Sequence, residues 1–78
     1  MTWNRYYFDY LPITKHGIGK MRSSQKYKTL AEAKREAKKR YRQKKIIQAT
    51  FWDRKNSIGH VIVGGMDTKG KMKSRKYS

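Results

Sequence analysis

Residues 29–45 read TLAEAKREAKKRYRQKK, and they decide the fold because they can be only one thing, an amphipathic helix. Thr29 and Glu32 have the S/T-x-x-E spacing of a capping box. The threonine oxygen accepts the amide of residue 32, and the glutamate reaches back to the amide of residue 29. Glu32 also suits the positive end of the helix dipole, and the basic residues that follow suit the negative end. Ala31, Ala33 and Ala37 raise helix propensity. These signals place a helix at about residues 30–43. At about 100° per residue, Leu30, Ala33, Ala37 and Tyr41 fall on one stripe. Most of that stripe is small, so the helix can approach a sheet closely, and the sheet must supply the bulk.

The flanking segments supply it. TWNRYYFDY, residues 2–10, is an aromatic-rich strand. Alternation puts Tyr6, Phe8 and Tyr10 on one face, the expected core face, and Trp3, Arg5, Tyr7 and Asp9 on the other. Pro12 is expected to end this strand, since it cannot donate to a ladder. TKHGIGK reads as a turn or loop, and KMRSSQKYK as a second, short, basic strand. After the helix, KIIQATFWD is a strong strand with Ile47, Ala49 and Phe51 on one face and Ile46, Gln48, Thr50 and Trp52 opposite. DRKNS is a turn, and IGHVIV returns to complete a hairpin over residues 46–63. From Met66 onward MDTKGKMKSRKYS is polar and basic, and its composition reads as a disordered tail. The expected fold is α+β: a small antiparallel sheet in the order β-β-α-β-β with one helix packed on one face. Residues 1–65 would form the single domain and residues 66–78 the disordered basic tail.

With 78 residues the chain has room for one small core. It has no cysteine, which excludes disulfides and thiolate metal sites. There is no stretch of about 18 apolar residues, and so no membrane-spanning segment is expected. MTWNRYYFDY lacks the basic-then-apolar layout of a secretory signal, so the expected address is cytoplasmic. The five acids, Asp9, Glu32, Glu36, Asp53 and Asp67, are scattered. His16 and His60 sit in a loop and a strand. HExxH, a Walker-type loop and a nucleophile elbow are all missing. The expectation is a protein that is not an enzyme and uses no cofactor and no metal.

The charge is the informative quantity. Lys and Arg total 21 against 5 acids, a formal +16 at pH 7. A compact domain so one-sided repels itself and calls for an anionic partner. On the helix, Lys34, Lys38, Arg42, Arg35 and Lys39, with Lys45 beyond, span roughly 40° to 180° from Leu30, while Glu32 and Glu36 fall at roughly 200° and 240°. A merely solvated helix interleaves signs to gain i, i+4 pairs. Here like charges stand at Lys34/Lys38, Arg35/Lys39 and Lys38/Arg42, each mildly destabilising. A polyanion relieves that repulsion. Lys20 and Arg22 on the second strand, and Lys71, Lys73 and Arg75 in the tail, are further candidate contacts. Trp3, Tyr7 and Trp52, on the face away from the helix, are candidates for base stacking or for an interface. The helix stripe is too thin in large apolar residues for membrane insertion.

The passage YYFDY…GIGKMRSSQKYKTLAEAKREA resembles the arm-type DNA-binding domains of phage integrases. There a strand steps into a helix through a K-x-[FY]-x-T-x-x-E-A pattern, answered here by Tyr27, Thr29, Glu32 and Ala33, with Lys26 beside the tyrosine. The resemblance covers about a third of the chain. It implies a DNA-binding protein of phage or mobile-element origin, in which a sheet enters the groove. Size and element order also resemble small phage-encoded proteins, among them anti-CRISPR proteins built of a sheet and one helix. That likeness implies an inhibitor docking on an acidic surface or nucleic-acid channel of a host defence protein, in the host cytoplasm. Two functions are therefore expected: a basic protein gripping the phosphate backbone of duplex DNA, or such an inhibitor.

Overall fold

A computed structural model describes residues 4–55 and 59–74. The order is β1 (Tyr6–Thr14), β2 (Gly17–Ile18), β3 (Arg22–Ser23), α1 (Leu30–Arg42), β4 (Ile46–Lys55), β5 (Gly59–Met66) and β6 (Met72–Ser74). All pairings are antiparallel, in the spatial order β2-β1-β4-β5-β6, with β3 also on the outer edge of β1. The fold is thus α+β, one helix against one open antiparallel sheet, as the sequence implied.

The helix starts where its cap dictates. Thr29 is extended and its hydroxyl accepts the amide of Glu32 at 3.2 Å. It stops without glycine. Lys44 takes φ 58°, the amide of Lys44 donates to the Tyr41 carbonyl, and that of Lys45 to the Arg40 carbonyl, both at 3.0 Å. These are the two bonds of a Schellman motif, with a lysine in the left-handed position that glycine usually fills. Ala33 and Ala37 have no exposed surface, and they let the helix settle onto Phe8 and Phe51, which have none either. The two phenylalanine rings meet edge to face, centroids 5.8 Å apart. Ile46, Ala49 and Met66 complete the buried cluster, with Tyr6, Tyr10, Tyr27, Leu30 and Tyr41 packed around it.

Three expectations fail for the same reason: register is set between strands, and alternation within one strand does not see it. First, Pro12 does not end β1, which runs to Thr14. The ladder shifts between Leu11 and Pro12, Leu11 opposing Gln48 and Pro12 opposing Ile46. Pro12 sits at this bulge, where its missing donor does least harm. Second, Ile47 is the residue skipped, so Ile46 turns inward at 2 % exposure and Ile47 is left half-buried. A second shift, between Phe51 and Trp52, skips Val63 on β5, which packs against the core. Third, the expected second strand is broken. Within residues 20–28 only β3 and a bridge from Tyr27 to Tyr6 form, while β2 falls in the segment expected to be a turn. Between β3 and the bridge the Ser24 hydroxyl accepts the Phe8 amide at 3.0 Å, standing in for a backbone carbonyl.

The C-terminal part differs most. Residues 66–74 do not form a disordered tail: they are the end of β5, a turn and β6. Met72 opposes Met66 and packs against the core. Arg75 and the residues after it lie outside the described residues, as do Trp3 and the tip of the 46–66 hairpin. The strands of that hairpin reach Lys55 and Gly59, which takes in part of the expected turn.

Asp53 is the one buried charged side chain, at 4 % exposure, among the described residues. Arg5 answers it with a fork, Nε to Oδ1 at 2.5 Å and Nη2 to Oδ2 at 2.7 Å. A bidentate pair of this kind is what makes a buried carboxylate tolerable.

Two substitutions test this packing in opposite directions. Ala37→Leu should lower stability by about 1–3 kcal/mol, because the helix cannot keep its distance from Phe51. Lys44→Gly should raise it by about 1 kcal/mol by removing the left-handed penalty. Urea midpoints at constant m-value read both.

Candidate nucleic-acid interface

The helix places Lys34, Arg35, Lys38, Lys39 and Arg42 along its outward side. Arg35, Lys39 and Arg42 are exposed, and Lys34 and Lys38 are half-buried. Lys38 is not a free ammonium. Its Nζ donates to the carbonyl of Gly70 at 2.8 Å. One helical turn on, the Tyr41 hydroxyl donates to the carbonyl of Thr68 at 2.9 Å. These two bonds clasp the β5–β6 turn to the helix and bring Lys69 and Lys71, both exposed, to the same flank.

The turn has its own logic. The Gly70 amide donates to the Asp67 carbonyl at 2.9 Å, and the Asp67 amide to the Lys71 carbonyl at 3.0 Å. Gly70 is at φ 79°, beside the Tyr41 ring, where an added Cβ would stand 2.6 Å from Cε1. Asp67 turns its carboxylate inward, to the amides of Lys69 and Lys71, at 2.9 Å each. The Lys71 amide foremost, helped by the Lys69 amide and the charges of Lys73 and Lys69, holds this carboxyl below its ordinary range against the opposing effect of desolvation. It is therefore ionised at neutral pH. Its contribution to the turn is present above the ordinary carboxylate range and is lost as pH falls through the depressed value.

Other acids are also turned elsewhere. Asp53 is inside with Arg5, Glu36 accepts from Arg40 Nε at 3.1 Å, and Asp9 accepts from the Ser23 hydroxyl at 2.6 Å on the far face of the sheet. Glu32 is in the capping turn. The flank formed by α1 and the β5–β6 turn is left as a ridge of cations.

The remaining expected contacts do not join this ridge. Lys45 follows the left-handed Lys44, so it leaves the helix and borders a groove with Lys39, Arg40 and Gln43. Lys20 and Arg22 lie on the outer edge of β1, and Arg22 pairs with Tyr10. Lys73 alternates with the inward Met72 and pairs with Gly65, which puts it on the helix-free face. Arg40 was not expected as a contact, and Lys69 was expected only as part of the disordered basic tail. The signal for Lys69 was present in DTKG, residues 67–70, with Asp at the first and Gly at the fourth position of a turn.

Tyr7 and Trp52 do come together on the helix-free face. They pair across β1 and β4, with rings parallel to within 8° and centroids 6.4 Å apart. Desolvation foremost, then the charge of Asp9, raises the Tyr7 phenol, opposed in part by Arg54, so it keeps its proton. Its oxygen lies 2.5 Å from His60 Nδ1. The indole Nε1 of Trp52 is buried without a hydrogen-bond acceptor. Both rings are half-buried.

No family model, curated protein or solved structure matches the chain. Among the described residues no group of three His, Cys, Asp or Glu side chains could hold a metal ion, and no helix is long and apolar enough to cross a membrane.

Gly70→Ala tests the clasp. It meets both the positive φ and the Tyr41 ring, and should cost roughly 2 kcal/mol. In a Tyr41→Ala background the same change should cost less, since the steric part is gone, and a double-mutant cycle of denaturation midpoints reads the difference.

Proposed function

We propose that this protein binds nucleic acid by gripping the phosphate backbone of a duplex, DNA in the first instance, through the ridge of Lys34, Arg35, Arg42, Lys69 and Lys71, with Lys39 at its border lining the groove on the other margin. The observation that carries the reading is the segregation of charge. Two separate elements, the helix and the β5–β6 turn, contribute cations to one flank, while Asp53 is held in the core and Asp67 on the turn amides. The like-charged neighbours along α1 weaken the free protein and favour any state in which a polyanion lies against them.

Spacing favours a duplex. From Lys34 to Arg42 the helix rises by about 12 Å, at 1.5 Å per residue. That is close to the roughly 12 Å width of the B-DNA major groove, so cations at the two ends can reach phosphates of both strands. Such contacts fix affinity and position but carry no sequence information. Lys38 serves by holding the turn in place rather than by touching phosphate. The phage and mobile-element origin implied by the integrase resemblance fits this reading, and the same ridge would suit the acidic rim of a defence nuclease.

Fluorescence anisotropy with a labelled mixed-sequence duplex checks the proposal. With five cations engaged, log K against log salt should have a slope of about −4 to −5, roughly −0.9 per phosphate. Lys34→Glu with Arg42→Glu should weaken binding far more than Lys15→Glu, which lies in the remote β1–β2 turn. A flat salt response, or equal effects of the two charge reversals, would overturn it.

A further inference from the structure

The helix has a second basic side, opposite the clasp. Between the C-terminal half of α1 and the outer part of β1 lies a groove of about 490 Å³, lined by Tyr10, Pro12, Glu36, Lys39, Arg40, Gln43, Lys45 and Ile46. Its apolar floor is Tyr10, Pro12 and Ile46. Cations reach it from three positions. Arg40 is fixed, with its guanidinium 5.3 Å above the centroid of Phe8 and 5.4 Å from that of Tyr10 and its Nε on Glu36. Lys39 and Lys45 are exposed at the helix end. The one acid of the lining, Glu36, is occupied by Arg40, so the groove presents net positive charge over an aromatic surface. Arg22, the register partner of Tyr10, shares this face of the sheet beside the floor.

From this lining we infer that the groove is a site for a single nucleotide unit carrying its phosphate. The chemistry matches the two halves of such a ligand. The tyrosine and the guanidinium beside its ring offer surfaces on which a base can stack, and arginine planes serve bases this way as aromatic rings do. Lys39 and Lys45, mobile and exposed, meet the phosphate as point charges, and the Gln43 amide can read a base edge with a donor and an acceptor. The volume falls within the range of small-ligand sites and exceeds what a phosphate alone would fill. The inference extends the nucleic-acid reading from backbone contact to one base taken at the end of the helix, the position of an unpaired or terminal nucleotide of a strand held on the ridge.

The test uses the full chain labelled with ¹⁵N and titrated at low salt with adenosine 5′-monophosphate, cytidine 5′-monophosphate, cytidine and inorganic phosphate. The two nucleotides should shift the amides of Gln43, Lys45 and Ile46 saturably. Cytidine and phosphate should each do so at least about tenfold more weakly, because each supplies only half of the contacts. Lys45→Glu should abolish the shifts while leaving the rest of the spectrum in place, and Lys45→Arg should restore them. Equal affinity for phosphate and nucleotide would reduce the groove to an anion site and overturn the proposal. So would shifts centred on Lys34 and Arg42, or an unaltered titration of Lys45→Glu. Duplex binding on the ridge is read separately by the anisotropy series, so either result can fail without the other.

Discussion

Everything in this molecule depends on the contact of two alanines with two phenylalanines. Ala33 and Ala37 bring the helix axis down onto Phe8 and Phe51, and none of the four side chains keeps any exposed surface. Because the approach is close, the lysines and arginines of α1 are confined to its outer arc and its two margins, where Arg40 lies over Phe8 and Tyr10. The same closeness sets the position of Tyr41 and Lys38, which lean over the margin far enough to reach the carbonyls of residues 68 and 70. A helix standing farther off would bury more side-chain bulk but would let go of the turn.

Local signals in the sequence were reliable where the cause is local. The Thr29 cap, the stripe from Leu30 to Tyr41 and the inward row of Tyr6, Phe8 and Tyr10 all depend on residues a few positions apart, and all are found in the fold. Features with a distant cause were not legible. Whether Ile46 or Ile47 faces the core is decided by the slip opposite Pro12, thirty-odd residues upstream. That Lys38 is tied to a carbonyl 32 residues away has no trace in the pattern of the helix. The C-terminal strand was hidden for another reason. Taken alone, residues 66–74 are too polar to fold, but they do not fold alone. Met72 adds to a core already built by others, and the turn signal in DTKG was outweighed by the lysines around it.

The candidate site was half legible in the same sense. The sequence pointed to a flank of cations on the helix, and the helix sets Lys34, Arg35 and Arg42 along one side with Lys39 at the border of the other. It could not foresee that one member, Lys38, would be consumed in holding structure, or that the left-handed residue 44 would swing Lys45 to the opposite margin. The result is two basic surfaces divided by the crest of the helix: one joined to a hairpin turn, the other floored by tyrosine and proline.

The margins of the sheet carry a consequence of their own. On one side β1 is covered only by two-residue fragments and a single bridge, and on the other the last strand is three residues long. Among the described residues, the pairings that cover the outer edge of β1 are short and interrupted, and β6 covers β5 only at Gly64–Met66. Short, interrupted edge strands flanked by the exposed Lys20, Arg22 and Lys73 are a poor template for a strand from a second copy.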